Sequence, residues 1–133
     1  MKRHTIEFRV RYQETDRMGV VYYANYLVWF EVARTEFFRA AGLDYRELEE
    51  KDNVFLPVAK ASCRYRSPIG YDDPVSLSVI LSMVGKARII FEYEVASRGS
   101  IRATGQTVHT FVNADGVPIP VPSNVREVLL REA

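Results

Sequence analysis

Residues 12–42 read YQETDRMGVVYYANYLVWFEVARTEFFRAAG, and the two halves of this stretch follow different rules. The first half is a polar loop carrying two carboxylates, Glu14 and Asp16, and a glycine, Gly19. The second, about Tyr22 to Ala41, places Phe30, Ala33, Phe37 and Ala41 at the 3.6-residue spacing of one helix face. Near its start this helix is apolar almost all round, which predicts burial on more than one side. Gly42 is a natural stop, since glycine accepts positive φ just past a helix end. An acidic loop therefore feeds the N-terminus of a long buried helix.

Working outward, His4–Tyr12 alternates, with Ile6, Phe8, Val10 and Tyr12 on one side and Glu7, Arg9 and Arg11 on the other. That is the pattern of a half-buried strand. After the helix, Asp44–Asp52 reads as a short charged helical piece, with Asp44 as cap and Glu47 at the capping-box position. From Val54 onward the signal is strand. Ala59, Ala61, Cys63 and Tyr65 alternate with Lys60, Ser62, Arg64 and Arg66, and Val75, Leu77, Val79, Leu81 and Met83 alternate with serines. Ile89, Phe91, Tyr93 and Val95 form the next run, and Ile101–Val112 the last. Turn residues separate them at Pro68–Pro74, Gly85–Ala87, Arg98–Gly99 and Asn113–Gly116. Pro118, Pro120 and Pro122 bar regular pairing, and a last short helix is predicted over Ser123–Arg131, capped by Ser123 or Asn124. One strand, one long helix and four hairpin-linked strands define an α+β domain on an antiparallel sheet, a single domain over residues 1–133. A sheet covers one side of the helix. The remaining apolar surface, and the uncharged serine face of the 75–83 strand, predict a partner subunit.

Composition narrows the function classes. With 18 basic and 17 acidic residues the net charge is +1, which gives no footprint for nucleic acid or a membrane surface. The N-terminus, MKRHTIEFRV, passes straight into alternation without a signal-peptide apolar core, and no apolar run is long enough for a transmembrane helix. One cysteine, Cys63, excludes an internal disulfide and leans toward the cytoplasm.

Among residues suited to chemistry, Asp16 leads. A carboxylate in a loop before a helix can act as general base or nucleophile, and the helix start offers unpaired N–H groups for a developing oxyanion. Asp16 serves equally as a loop residue bonding its own backbone, the more frequent use of Asp before a helix. Glu14 suggests an acid/base pair with it, although a solvated loop residue is the commoner case. Tyr22, Tyr23 and Tyr26 can donate phenolic hydrogen bonds, but core filling is the expected role of at least two of them. Glu31 and Arg34, three residues apart, are expected to form a buried structural pair. His4 and His109 are too isolated to argue a metal site, and no metal is expected. A Cys63–His109 dyad is weaker than the reading of Cys63 as a core residue. No phosphate loop or dinucleotide fingerprint occurs. Lys60, Arg64, Lys86 and Arg88 either meet the phosphates of an anionic ligand or form a solvated face.

The run Tyr12, Thr15–Asp16, Gly19–Val20–Val21–Tyr22, then Glu31, Ala33 and Arg34 on an aromatic helix, resembles the signature of the hot-dog-fold acyl-CoA thioesterases of the 4-hydroxybenzoyl-CoA thioesterase type, in the Tol–Pal-associated branch. The resemblance continues through Tyr65, Pro68 and Asp72–Asp73. It implies a five- or six-stranded antiparallel sheet wrapped round the long helix. It also implies pairing of subunits edge to edge into dimers and of dimers into tetramers, with active sites at the dimer interface. Asp16 is then the catalytic carboxylate, and the Tyr23 N–H polarises the thioester carbonyl. The acyl group lies against Tyr22 and Tyr26, with Val58 and Ala59 nearby, and Lys86 and Arg88 match loosely the region that meets the coenzyme A phosphates. Coenzyme A enters as part of the substrate, and no other cofactor is implied. Close relatives often carry histidine beside the Gly-Val-Val-Tyr run, where this chain has Tyr23, so a histidine-assisted step is not supported. Val21, five residues after Asp16, also argues against the hot-dog hydratases. The alternatives are a thioesterase for acyl carrier protein and a non-catalytic acyl-CoA-binding or scaffold protein on the same fold.

Overall fold

The computed structural model describes residues 2–131. The chain opens with strand β1 (Arg3–Arg9), makes one 3-10 turn at Tyr12–Glu14, and enters helix α1 (Asn25–Ala40). A short helix α2 (Tyr45–Glu50) precedes four strands, β2 (Val58–Tyr65), β3 (Pro74–Val84), β4 (Arg88–Ser97) and β5 (Ser100–Thr110), and helix α3 (Ser123–Leu130) follows them. The strands form one antiparallel sheet in the order β1-β3-β4-β5-β2. Register shifts interrupt the ladders at Leu81/Met83, Val58/Lys60 and Val95/Ala96. Such bulges raise local twist and bend a strand.

The inner face of the sheet carries Val75, Leu77 and Val79 from β3, Ile89, Phe91, Tyr93 and Val95 from β4, and Ala103 from β5, all buried. Against it lie Tyr26, Trp29, Phe30, Ala33, Phe37 and Phe38 of α1, also buried. Phe30 stacks on Tyr93 with ring centroids 4.1 Å apart and planes 9° apart. Gly105 of β5 makes that approach possible, because a Cβ there would sit 2.3 Å from the Phe30 ring.

Several local expectations are corrected. Strand β1 stops at Arg9, and Tyr12 is exposed because the chain turns out of the sheet after Val10. Helix α1 begins at Asn25 rather than Tyr22, since residues 22–24 form the turn that leads into it. Met83 leaves the inward phase because the bulge after Leu81 shifts the alternation. Helix α3 has Pro122 at its cap, with no side-chain cap from Ser123 or Asn124. Asp44 caps α2 as expected, its Oδ1 accepting from the Arg46 N–H at 2.8 Å. Ala59 and Ala61 are exposed and Cys63 only half-buried, because β2 is an edge strand that α1 barely covers. Leu27, Val28 and Val32 of α1 are exposed as well.

Candidate active site

The loop between Thr15 and Val21 is a small closed structure. Thr15 and Val21 bridge each other, and the Asp16 N–H donates to the Val20 carbonyl at 2.9 Å. The Gly19 N–H returns to the Asp16 carbonyl at 3.0 Å, which closes a turn. Gly19 has φ +80°, a region open to glycine and strained for other residues. The loop docks on residues 69–71: Val21 N–H donates to Ile69 O at 2.8 Å and Tyr71 N–H to Gly19 O at 3.3 Å. Asp16 is half-buried at the base of this loop. Its Oδ1 accepts from the Met18 N–H at 2.8 Å, the bond of an Asx turn. Its Oδ2 accepts from no group among the described residues. The loop-residue reading of Asp16 is therefore met at Oδ1, while Oδ2 carries no bond among the described residues.

The helix start supplies the complementary groups. Tyr22 N–H donates to Glu14 O at 2.9 Å, and Asn25 N–H to Tyr22 O at 2.9 Å. Between them, the N–H groups of Tyr23 and Ala24 have no acceptor among the described residues. These are the orphan donors expected at a helix N-terminus, where the helix dipole also favours negative charge. The Tyr65 hydroxyl donates to the Tyr23 carbonyl at 2.8 Å and so ties β2 to this turn. Burial first, then the neighbouring Cys63 thiol, pushes the Tyr65 phenol up, so it stays a donor at neutral pH. Burial also pushes Tyr26 up to about 12.

The aromatic residues separate. Tyr26 is buried, as a core residue would be, whereas Tyr22 and Tyr23 are 46% and 62% exposed. In one chain their rings form an open aromatic face with Tyr65, rather than the core filling expected of two of the three tyrosines. Lys86 and Arg88 lie elsewhere. The Asp16 loop is braced at the Pro74 end of β3 through Val10 and Asp72–Asp73, while Lys86 follows the other end. Roughly 35 Å of strand separates the two ends. A single chain does not bring Lys86 or Arg88 to Asp16.

The remaining candidates resolve clearly. Glu14 is 7% exposed and not a solvated loop residue. Its Oε1 accepts from the Arg11 N–H at 2.8 Å and its Oε2 from the Trp29 indole N–H at 2.8 Å. Nothing in the sequence signalled this, because the partner Trp29 lies fifteen residues away. Arg34 is also 7% exposed and makes no ion pair with Glu31, which points outward. Arg34 Nη1 donates to the Tyr93 hydroxyl at 3.2 Å instead, since α1 turns that position toward β4. Cys63 faces Gly105 and His109 faces Val58 in the β2–β5 ladder. About five residues of strand, roughly 16 Å, lie between them, which rules out a dyad. Burial pushes the Cys63 thiol up, away from the thiolate a nucleophile needs. His109 is fully buried, its Nε2 2.8 Å from the Thr107 hydroxyl. Among the described residues, no three His, Cys, Asp or Glu side chains converge as metal ligands do.

An antiparallel sheet curled round one long helix, with a carboxylate loop at the helix start, is the hot-dog architecture. The chain belongs to the thioesterase-like superfamily, which matches residues 10–129. A Bacillus subtilis protein, YneP, provisionally named an acyl-CoA thioesterase, is 35% identical over 105 residues, covering 77% of this chain and 75% of that one. The 1,4-dihydroxy-2-naphthoyl-CoA hydrolase of Nostoc punctiforme is 30% identical over 105 residues, 79% of this chain and 71% of its own. The crystal structure of a DHNA-CoA thioesterase from Staphylococcus aureus superposes with a TM-score of 0.91 at 30% identity, over 97% of this chain and 89% of that one.

Proposed function

We propose that this protein is an acyl-CoA thioesterase, cleaving an acyl-CoA thioester with water to a free acid and coenzyme A. The observation that carries the reading is the pairing of a half-buried carboxylate, with one oxygen free, and two unpaired amides at the start of α1. Thioester hydrolysis needs those two things: a base or nucleophile, and donors for the oxyanion that forms as the carbonyl carbon becomes tetrahedral. The Tyr23 N–H takes the carbonyl oxygen. Asp16 either removes a proton from the attacking water or attacks the carbonyl carbon itself. In the first route hydroxide adds, the C–S bond breaks, and the thiolate takes up the proton. In the second the thiolate leaves first, and water then hydrolyses a mixed anhydride on Asp16.

The acyl group is assigned to the exposed aromatic face that Tyr22 forms with Tyr23 and Tyr65, since Tyr26 is buried in the core, and this face needs further cover. A cleft of about 720 Å³ along α1, lined by Arg34, Tyr45 and Leu56, includes neither Asp16 nor Tyr23. A second copy of the chain supplies that cover. The exposed apolar residues of α1 and the bare edge of β2 support this homodimer, and pairs of dimers are the assembly the resemblance implies. Lys86 and Arg88 would reach the coenzyme A phosphates from another copy.

The test is release of free thiol from a panel of aliphatic and aromatic acyl-CoA and acyl-carrier-protein thioesters. Asp16→Asn is expected to fold and to lose at least about a hundredfold in kcat, the scale of a positioned base. Wild-type turnover by that variant refutes the mechanism. Acyl-CoA recovered intact after long incubation refutes the enzymatic reading and leaves an acyl-CoA-binding protein.

A further inference from the structure

Glu14 has no part in the chemistry above, yet it is the most heavily bonded residue of the loop. Its carboxylate is buried and both oxygens are occupied. Oε1 holds the Arg11 N–H at 2.8 Å, while Oε2 holds the Trp29 indole N–H at 2.8 Å and lies 3.4 Å from Arg11 Nη2. Its backbone carbonyl also accepts twice, from the Tyr22 N–H at 2.9 Å and the Asn25 side-chain amide at 2.8 Å. One residue thus joins the end of β1, the acidic loop, the turn into α1 and the second turn of α1.

The consequence for the site follows from spacing along the chain. Asp16 is two residues after Glu14, and the residue between them is fixed. Thr15 N–H and Thr15 Oγ1 both donate to Tyr12 O, at 3.1 and 2.7 Å, and Thr15 bridges Val21. Tyr23 is one residue after Tyr22, which the Glu14 carbonyl holds. Trp29, at the other end of the carboxylate bond, is wedged edge-on against Phe8 of β1 at 5.0 Å and so cannot follow a moving loop. Asp16 and Tyr23 are therefore both tethered through Glu14, the first two residues along the chain and the second by way of its bonded neighbour Tyr22. With both oxygens bonded and buried, Glu14 is closed to substrate and cannot be half of an acid/base pair.

We infer that Glu14 is the positioning residue of this site: it sets the separation of the Asp16 carboxylate from the Tyr23 N–H by bonding to Trp29 with its side chain and to Tyr22 and Asn25 with its carbonyl. This inference rests on the thioesterase reading for its kinetic test and on geometry alone for its structural one. A misplacement of about 1 Å in such a site costs on the order of a hundredfold in rate. Glu14→Gln turns one bonded oxygen into a donor facing Trp29 or Arg11, and Trp29→Phe removes the indole donor.

Both variants are expected to lower kcat at least about tenfold with KM within about threefold. In the Asp16→Asn background Glu14→Gln is expected to cost less than it does alone, because only the Tyr23 N–H is then left to position. A folded Glu14→Gln or Trp29→Phe with kcat within about twofold of wild type overturns the inference, as do losses that multiply in the double variant. If neither variant folds, Asn25→Ala decides on the same criteria, since it cuts a bond at a half-buried position. The Tyr23 and Ala24 amide resonances give a readout independent of turnover. They are expected to shift in each folded variant, and unmoved resonances overturn the inference. Failure of wild type to release thiol, or an active Asp16→Asn, refutes the thioesterase mechanism and leaves the resonance test standing.

Discussion

Placing a single methyl group on β5 tests how α1 is held. In Gly105→Ala the new Cβ would lie 2.3 and 2.4 Å from two carbons of the Phe30 ring and 3.0 Å from the Ser62 carbonyl. Ordinary carbon contacts begin near 3.5 Å, so the ring must retreat by about 1 Å. Phe30 has nowhere easy to go, being fully buried and stacked on Tyr93 at 4.1 Å. Overpacking of this kind costs about 1–3 kcal/mol, and a spoiled aromatic pair about 0.5–1.5 kcal/mol more. Against this, replacing glycine stiffens the unfolded chain by about 0.4–1 kcal/mol. The expected net loss is about 2–3 kcal/mol, or a fall in Tm of roughly 6–12 °C for a chain of this size. Thermal or urea unfolding measures it, and Phe30→Leu in the same chain checks the cause. The double variant should be less destabilised than the sum of the single ones, because the shorter side chain vacates the clash. Because Phe30 lies five residues after Asn25, a displaced α1 should also lower kcat. Gly105→Ala within about 0.5 kcal/mol of wild type, or strict additivity with Phe30→Leu, refutes this account of the packing.

Three further outcomes are expected. Tyr65→Phe keeps the ring but removes the 2.8 Å bond to the Tyr23 carbonyl, and should lower kcat about three- to tenfold with little change in Tm, measured by thiol release and melting. Arg34→Met removes a buried guanidinium whose Nε has no partner among the described residues, and should leave stability within about 1 kcal/mol of wild type or raise it; a loss above about 3 kcal/mol in urea would contradict this. Burial, with the Arg34 charge second, pulls His109 down to about 4, against about 6.5 when unfolded. Between those values the unfolded chain binds a proton that the native chain does not, so stability should fall as pH drops from 6.5 toward 4, by up to about 3 kcal/mol. His109→Gln should flatten that slope in urea titrations across the window, and an unchanged slope would refute it.

What could be read from the sequence depended on how local the cause was. The helix face of Phe30, Ala33 and Phe37 and the alternation of Val75–Leu81 are periodic, and each element formed as expected. Gly19 and Gly42 stand where the turn after Asp16 and the end of α1 need positive φ. The sheet order was not written locally, because the return of β2 to the edge beside β5 depends on tertiary pairing. The roles of Glu14 and Arg34 are likewise set by residues distant in sequence. A carboxylate in a polar loop looks solvated until Trp29 is brought over it, and Arg34 looks paired to Glu31 until α1 turns it toward Tyr93. Met83 was lost to a bulge, which alternation does not announce.

The exposed side of the molecule completes the reasoning about the site. The sheet covers the face of α1 that carries Phe30, Ala33 and Phe37, leaving Leu27, Val28 and Val32 outside. Asp16, the unpaired amides of Tyr23 and Ala24, and the aromatic face of Tyr22, Tyr23 and Tyr65 gather at the helix start, beside the bare edge strand β2. A donor to an oxyanion, the role proposed for the Tyr23 N–H, is strongest where water is excluded, and Tyr23 is 62% exposed in one chain. The edge that is free to pair and the site that needs a dry wall are thus on the same side. A substitution that blocks pairing there, such as Ala61→Pro on β2, should therefore reduce turnover without touching Asp16. Sedimentation alongside thiol release tests this. A monomeric Ala61→Pro protein with wild-type kcat would show that one chain excludes water from its site unaided.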